Sequence, residues 1–181
     1  AAPAAAQSRN PAANDLTAIY DPTPRITKMS TTVREEPRTS SRPSLDLAFR
    51  TSHPDTVPSR PLEVFELSLY ASLRDSGAVH FAGVDKATLL VDDSVQITLR
   101  GEYRARPWTE RVSFPVSLGQ ALKLSRARSV RGRIGSWVFD LAPEEIARIG
   151  RLVAYARLEP GAPVPDRWTV SPDEFGGQGP L

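Results

Sequence analysis

Cysteine is absent from this 181-residue chain, which excludes disulfides, thiolate metal sites and cysteine nucleophiles together. Histidine occurs only at His53 and His80, so acid–base schemes that rest on imidazole have little to draw on. Lysine is scarce too: Lys28, Lys86 and Lys123 leave 20 of the 23 basic residues as arginine, whose planar fork suits carboxylate and phosphate better than an ammonium does. Apolar runs such as Ala78–Val84, itself broken by His80, fall far short of the ~20 residues a membrane helix needs. Proline is missing from the middle. Of 17 prolines, nine lie in residues 1–61 and five in 158–181, leaving Pro107, Pro115 and Pro143 between. Because proline removes a backbone donor and fixes φ, this distribution outlines one hydrogen-bonded body between two looser ends.

Length allows one domain with appendages. The pattern divides the chain into an extended Pro/Ala-rich arm over 1–24, an α+β domain over 25–158 with its best-defined core at 44–157, and a Pro/Gly-rich tail over 159–181. The sequence opens Ala1-Ala-Pro-Ala-Ala-Ala-Gln, a small-residue start of the kind left after signal-peptide removal, and a periplasmic or secreted protein is expected from it.

Within the body, alternation is the main signal. Ile26–Val33 reads as a weak edge strand. Leu45, Leu47 and Phe49 alternate with Asp46 and Arg50, and His53–Pro61 reads as a loop. Phe65, Leu67 and Leu69 face inward while Glu66, Ser68 and Tyr70 face outward, and Asp75-Ser76-Gly77 reads as the turn that ends this strand. Ala87–Val91 and Val95–Leu99 flank Asp92-Asp93-Ser94 as a hairpin, and Val112, Phe114 and Val116 repeat the period-two pattern. Pro115 points to an edge or bulge. Ser117 and Gln120 form a capping box ahead of a short helix at about 118–126. Val130–Ile134 and Trp137–Leu141 form a second hairpin about Gly135-Ser136. Pro143, Glu144 and Glu145 open a final helix whose stripe is Ile146, Ile149, Val153 and Ala156. This order predicts an α+β fold: a mostly antiparallel β-sheet with the short and C-terminal helices on one face.

Charge concentrates in one segment. Residues 100–133 hold nine basic groups against Glu102 and Glu110. If 100–106 is extended, Arg100, Glu102, Arg104 and Arg106 share a face, and Arg131 and Arg133 share another. Arg104, Arg106, Trp108, Arg128, Arg131 and Arg133 are the candidate residues for a polyanion, phosphate or nucleic acid, since arginine forks beside aromatics grip such ligands. The plainer reading is a solvated sheet face paired with acidic segments. No nucleotide, metal or nucleophile-elbow pattern is present, Asp92-Asp93 reads as turn chemistry, and neither a cofactor nor a metal site is expected. His80, between Val79 and Phe81, reads as semi-buried rather than as a base.

Five short stretches also carry a resemblance: Phe114-Pro115-Val116-Ser117, Ala127-Arg128-Ser129-Val130, Arg133-Ile134-Gly135, Phe139-Asp140-Leu141 and Pro143–Ile146. With Leu89–Asp93 before them, they resemble the closing half of uncharacterised exported bacterial α+β proteins. Asp93 departs from the glycine common in such hairpins. The resemblance implies a stand-alone envelope domain and brings no active site. The expected function is therefore a non-catalytic binding or structural subunit that contacts a protein partner in the cell envelope through its termini, with Trp168 and Phe175 as anchors. Anionic-ligand binding through 100–133 is the alternative, and an enzyme of unknown class comes third.

Overall fold

A computed structural model describes residues 16–39, 43–72 and 80–165, together with the backbone of 167–170. The fold is α+β and holds two sheets where the sequence suggested one. The larger contains Thr17–Asp21 (β1), Ile26–Glu36 (β2), Leu45–Pro54 (β3), Val64–Ser72 (β4), Glu102–Arg106 (β7), Thr109–Ser117 (β8) and Arg167–Val170 (β11), in the order β11-β1-β2-β3-β4-β8-β7. All its neighbours are antiparallel except β1 and β11, which run parallel. The smaller sheet is antiparallel throughout. It comprises Lys86–Val91 (β5), Val95–Arg100 (β6), Val130–Ile134 (β9) and Trp137–Leu141 (β10), in the order β10-β9-β5-β6.

Period-two alternation decides which face of the large sheet is buried. Leu45, Leu47, Phe49, Thr51 and His53 of β3 are buried while Asp46 and Ser52 are exposed. The same face continues through Phe65, Leu67 and Leu69 of β4 and Val112, Phe114 and Val116 of β8, with Phe49 and Phe65 stacked at 5.5 Å. A corner joins the two sheets at Gly101, between β6 and β7. A β-carbon there would lie 2.1 Å from Ser113 O and 2.4 Å from the Phe114 ring, so only glycine permits the crossing. Gly132 of β9 meets the Phe139 ring equally closely. Pro115 lies inside β8 rather than on an edge strand, but β7 pairs with β8 only as far as Ser113. Its missing N–H thus falls beyond that ladder.

Leu118–Ser125 (α1) starts at the expected capping box, with Gln120 N donating to Ser117 Oγ at 3.4 Å and Ser117 N to Gln120 Oε1 at 2.9 Å. It buries Ala121 and Leu124, with Leu118 and Leu122 partly covered. Pro143–Ala156 (α2) buries the predicted stripe plus Leu152 and Tyr155. The two helices pack on each other and against the large sheet. At the β2 bulge between Thr32 and Arg34, the Arg148 guanidinium of α2 donates to Thr32 O (3.0 Å) and Val33 O (3.3 Å). That replaces the ladder bonds the bulge interrupts.

Four sequence expectations are corrected. Part of the proposed arm is structural: β1 lies within 1–24, and Leu16 and Ala18 are fully buried. Ile26–Glu36 is an inner strand, paired on both sides, because Thr27, Met29, Thr31 and Val33 alternate as a buried row. Threonine is β-branched and fits a pleated surface once its hydroxyl is bonded, as Thr27 Oγ1 is to Asp55 O at 2.5 Å. β3 runs through His53, which is buried and not in a loop. Finally, the backbone of 167–170 forms β11, with Trp168 opposite Ala18 in β1. The Trp168 side chain, Phe175 and the expected turn at Asp75-Ser76-Gly77 lie outside the described residues.

Candidate functional site

The open face of the large sheet, away from the helices, carries a cleft of about 670 Å³. Strand register builds its floor. Ser30, Arg50, Glu66 and Pro115 form one row across β2, β3, β4 and β8. Two rows further on lie Asp46, Tyr70, Arg111 and Arg104, across β3, β4, β8 and β7. Lys28 on β2 precedes the first row, opposite Ser52. Alternation had already turned Arg50, Glu66 and Tyr70 outward. Register then places Arg50 beside Glu66 at the strand spacing of ~4.8 Å, with Tyr70 four residues further along β4.

The polar groups are ordered by one another. Glu66 Oε1 accepts from Arg111 Nη2 at 2.5 Å and from Ser68 Oγ at 2.5 Å, and Ser68 Oγ lies 3.3 Å from Ser113 Oγ. Arg50 Nη1 donates to the Tyr70 hydroxyl. The Arg50 and Arg111 guanidinium carbons lie 5.4 Å and 5.5 Å from the Tyr70 ring centroid. One aromatic platform therefore steadies two arginine forks from neighbouring strands, which lowers the entropy lost when they grip a ligand. Arg111 Nε is buried and has no hydrogen-bond partner.

Electrostatics point the same way. Lys28, Arg50, Arg60 and Arg111 line the cleft against Glu63 and Glu66. The Lys28 ammonium is held below the ordinary lysine range. Burial is the main cause, and the Arg50 and Arg111 charges add to it against the pull of Asp21 and Glu66. The shift therefore reports the burial of Lys28 beside two arginines and two carboxylates.

The other sequence candidates are dispersed. Arg104 is the register partner of Arg111 but does not line the cleft, and it pairs with Glu102 at 3.2 Å. Arg106 follows on β7, and Trp108 stands 65% exposed in the turn beyond it. Arg131 and Arg133 belong to the other sheet, where Arg131 pairs with Asp140 at 3.0 Å and Arg133 lines a shallow depression with Lys86. Arg128 contributes its backbone N–H to Asp92 at 2.7 Å. The segment 100–133 therefore forms no single basic face, because the chain enters the large sheet at Gly101 and returns to the small one after α1. The cleft residues that sequence reasoning missed, Lys28, Arg50 and Arg111, come from three strands far apart in the chain, and only pairing brings them together.

The histidines exchange their expected environments. His80 is exposed, and its backbone N–H, with that of Phe81, donates to the buried Glu110 carboxylate at 2.8 and 3.1 Å. His53 is 2% exposed and packs near Tyr155 of α2, with ring centroids 6.4 Å apart. Its Nδ1 lies 2.9 Å from Pro54 O and therefore carries the proton, leaving a buried Nε2 with no partner. No nucleophile is assembled on that nitrogen. Neither His80 nor Asp92 lines the cleft. Among the described residues no three metal-ligating side chains cluster, and no helix is long and apolar enough to cross a membrane.

No family model matches the chain, and neither a curated protein nor a solved structure matches it. The resemblance to exported bacterial domains accordingly gains no support from relatives.

Proposed function

We propose that this protein is a non-catalytic binding domain for an anion of the carboxylate or phosphate class, held in the cleft on the open face of the large sheet. One observation carries the reading: Lys28, Arg50 and Arg111 converge from three strands on a single concavity. Charge-assisted hydrogen bonds of this kind are each worth about 1.5–3 kcal/mol. Tyr70 and Glu66 pre-position the forks, so little ordering is left to do at binding. Four cations line the cleft, Glu66 is already paired with Arg111, and the buried His53 packs near Tyr155, an arrangement that fits recognition. Contact through the terminal anchors Trp168 and Phe175 draws no support from the described residues.

The test is a titration of the protein with phosphate and with acetate, hexanoate and decanoate, followed by backbone amide shifts at low and moderate salt. Saturable shifts on β2, β3 and β8 are expected. They should weaken as salt rises, and Arg50→Gln and Arg111→Gln should each reduce affinity about tenfold or more. Absence of saturable binding by every one of these anions would overturn the reading, as would affinity unchanged in both variants.

A further inference from the structure

The cleft has a second end that the cations do not explain. Val64, the first residue of β4, turns its side chain to the open face, because Phe65 beside it faces the core. It is 70% exposed although it lines the cleft. Pro115 is exposed in the next row, opposite Glu66, and Pro61 and Leu62 approach from the loop before β4. The loop is fastened there by Leu62 N donating to Ala156 O at 2.8 Å and by Glu63 O accepting from Leu118 N at 3.0 Å. The apolar end is thus a fixed wall and not a loose flap. An exposed valine at the end of a strand is commonplace alone. Here it lies within one cleft with two prolines and a leucine, one or two strand spacings from Arg50. Side chains two residues apart along β4, such as Val64 and Glu66, are separated by roughly 6.5–7 Å.

We propose that the natural ligand is an amphipathic organic acid, whose carboxylate head meets Arg50, Arg111 and Lys28 and whose apolar body covers Val64, Pro61 and Pro115. The inference rests on the anion-binding reading above and adds to it the chemical class of the ligand's body. An inorganic anion would satisfy the forks and leave the apolar wall wet. A nucleotide would place polar sugar and base edges against Val64 and the prolines, leaving those edges without partners. A carboxylate with a hydrocarbon body matches both ends, in keeping with the usual makeup of small-molecule sites: mostly apolar walls with a few polar groups that fix orientation.

Affinities of acetate, hexanoate and decanoate, measured on the full chain below any micellar concentration, separate the possibilities. Each methylene that leaves water against the wall tightens binding about three- to four-fold, so decanoate should bind at least tenfold more tightly than acetate. Val64→Ser, a change at an exposed position where folding is not at stake, should shrink that chain-length gain. Arg111→Gln should weaken every member of the series. Affinity independent of chain length, phosphate binding more tightly than decanoate, or a chain-length gain that survives Val64→Ser would each overturn the amphipathic assignment while leaving anion binding standing. Failure of every anion to bind would instead overturn the anion reading itself.

Discussion

The Trp137 indole N–H donates to Glu36 Oε2 at 3.1 Å, tying the outer strand of the small sheet to the end of β2 in the large one. The other oxygen of Glu36 accepts from Arg34 Nε at 3.0 Å. Arg34 Nη1 reaches on to Asp140 O at 3.1 Å and to the Glu145 carboxylate at 3.4 Å, and Glu145 Oε2 in turn accepts from Ala142 N at 2.7 Å, ahead of α2. One half-buried network thus joins both sheets and a helix start. Glu36→Ala should cost about 1–3 kcal/mol in urea unfolding, because it strands an indole donor and a guanidinium. Glu36→Gln keeps one acceptor and should cost less. A loss under about 0.5 kcal/mol for Glu36→Ala would mean that apolar contact, such as the 4.3 Å stacking of Trp137 on Phe139, holds the sheets together unaided.

Lys28 should exchange stability for binding. Its folded value lies below the ordinary lysine value of about 10.4, so between those two values the folded state holds fewer protons than the unfolded chain. Stability from this group therefore rises with pH across that window, and below it the charged lysine is a cost. Lys28→Met should raise Tm at pH 7 by about 1–3 °C and weaken anion binding in the same protein. Anion binding to the native protein in that alkaline window should take up protons, which calorimetry in buffers of different ionisation enthalpy reads directly. A lower Tm in Lys28→Met would show the lysine to be a net stabiliser.

Asp92 sets an acid limb of the same sign, with stability again rising with pH, but here because the charged form is the one held in the fold. Its carboxylate accepts from Ser129 N at 3.0 Å and Arg128 N at 2.7 Å, and these bonds hold it below the ordinary carboxylate range. The stability it contributes is complete above about pH 4 and is lost as pH falls through the folded value. Asp92→Ala should lower Tm at pH 7 and flatten the decline of Tm below pH 4. Asp92→Asn should be milder, because asparagine tolerates the φ of 50° at this turn. Asp93 beside it has φ 52°, so Asp93→Gly should raise Tm. An unchanged acid limb in Asp92→Ala would place the pH dependence elsewhere.

Gly101→Ala tests the corner between the sheets. With Ser113 O only 2.1 Å from the new β-carbon, either β6 or β7 must leave its partner. A loss of about 3 kcal/mol or more is expected, with amide exchange accelerating first on β7. A tolerated alanine would show that the crossing relaxes easily.

Much of the fold was legible because local rules agree with it. The capping box at Ser117 and Gln120, the Pro143 helix start, both hairpins and the inward rows of β3, β4 and β8 follow from the side chains near each turn and from period-two alternation. β2 was underestimated because threonine and serine hide its period. Its core face is Thr27, Met29, Thr31 and Val33; only the folded chain supplies the Asp55 carbonyl that Thr27 Oγ1 bonds, and Thr31 Oγ1 is buried without a hydrogen-bond partner. The site was harder to see. Arg50, Glu66 and Tyr70 were turned outward by alternation, but outward residues are numerous and most serve only solubility. The run of arginines in 100–133 drew attention to charge density along the chain, whereas recognition depends on charge density in space.

By itself the sequence determined the inward rows of β3, β4 and β8, where helices begin, and that cysteine chemistry plays no part. Tertiary structure alone decided that Lys28, Arg50 and Arg111 share one cleft while Arg131 and Arg133 lie on a different sheet. The physical reason is that alternation is a local property fixed by each residue's own neighbours. Register between strands is a long-range choice, made only when the whole buried face closes.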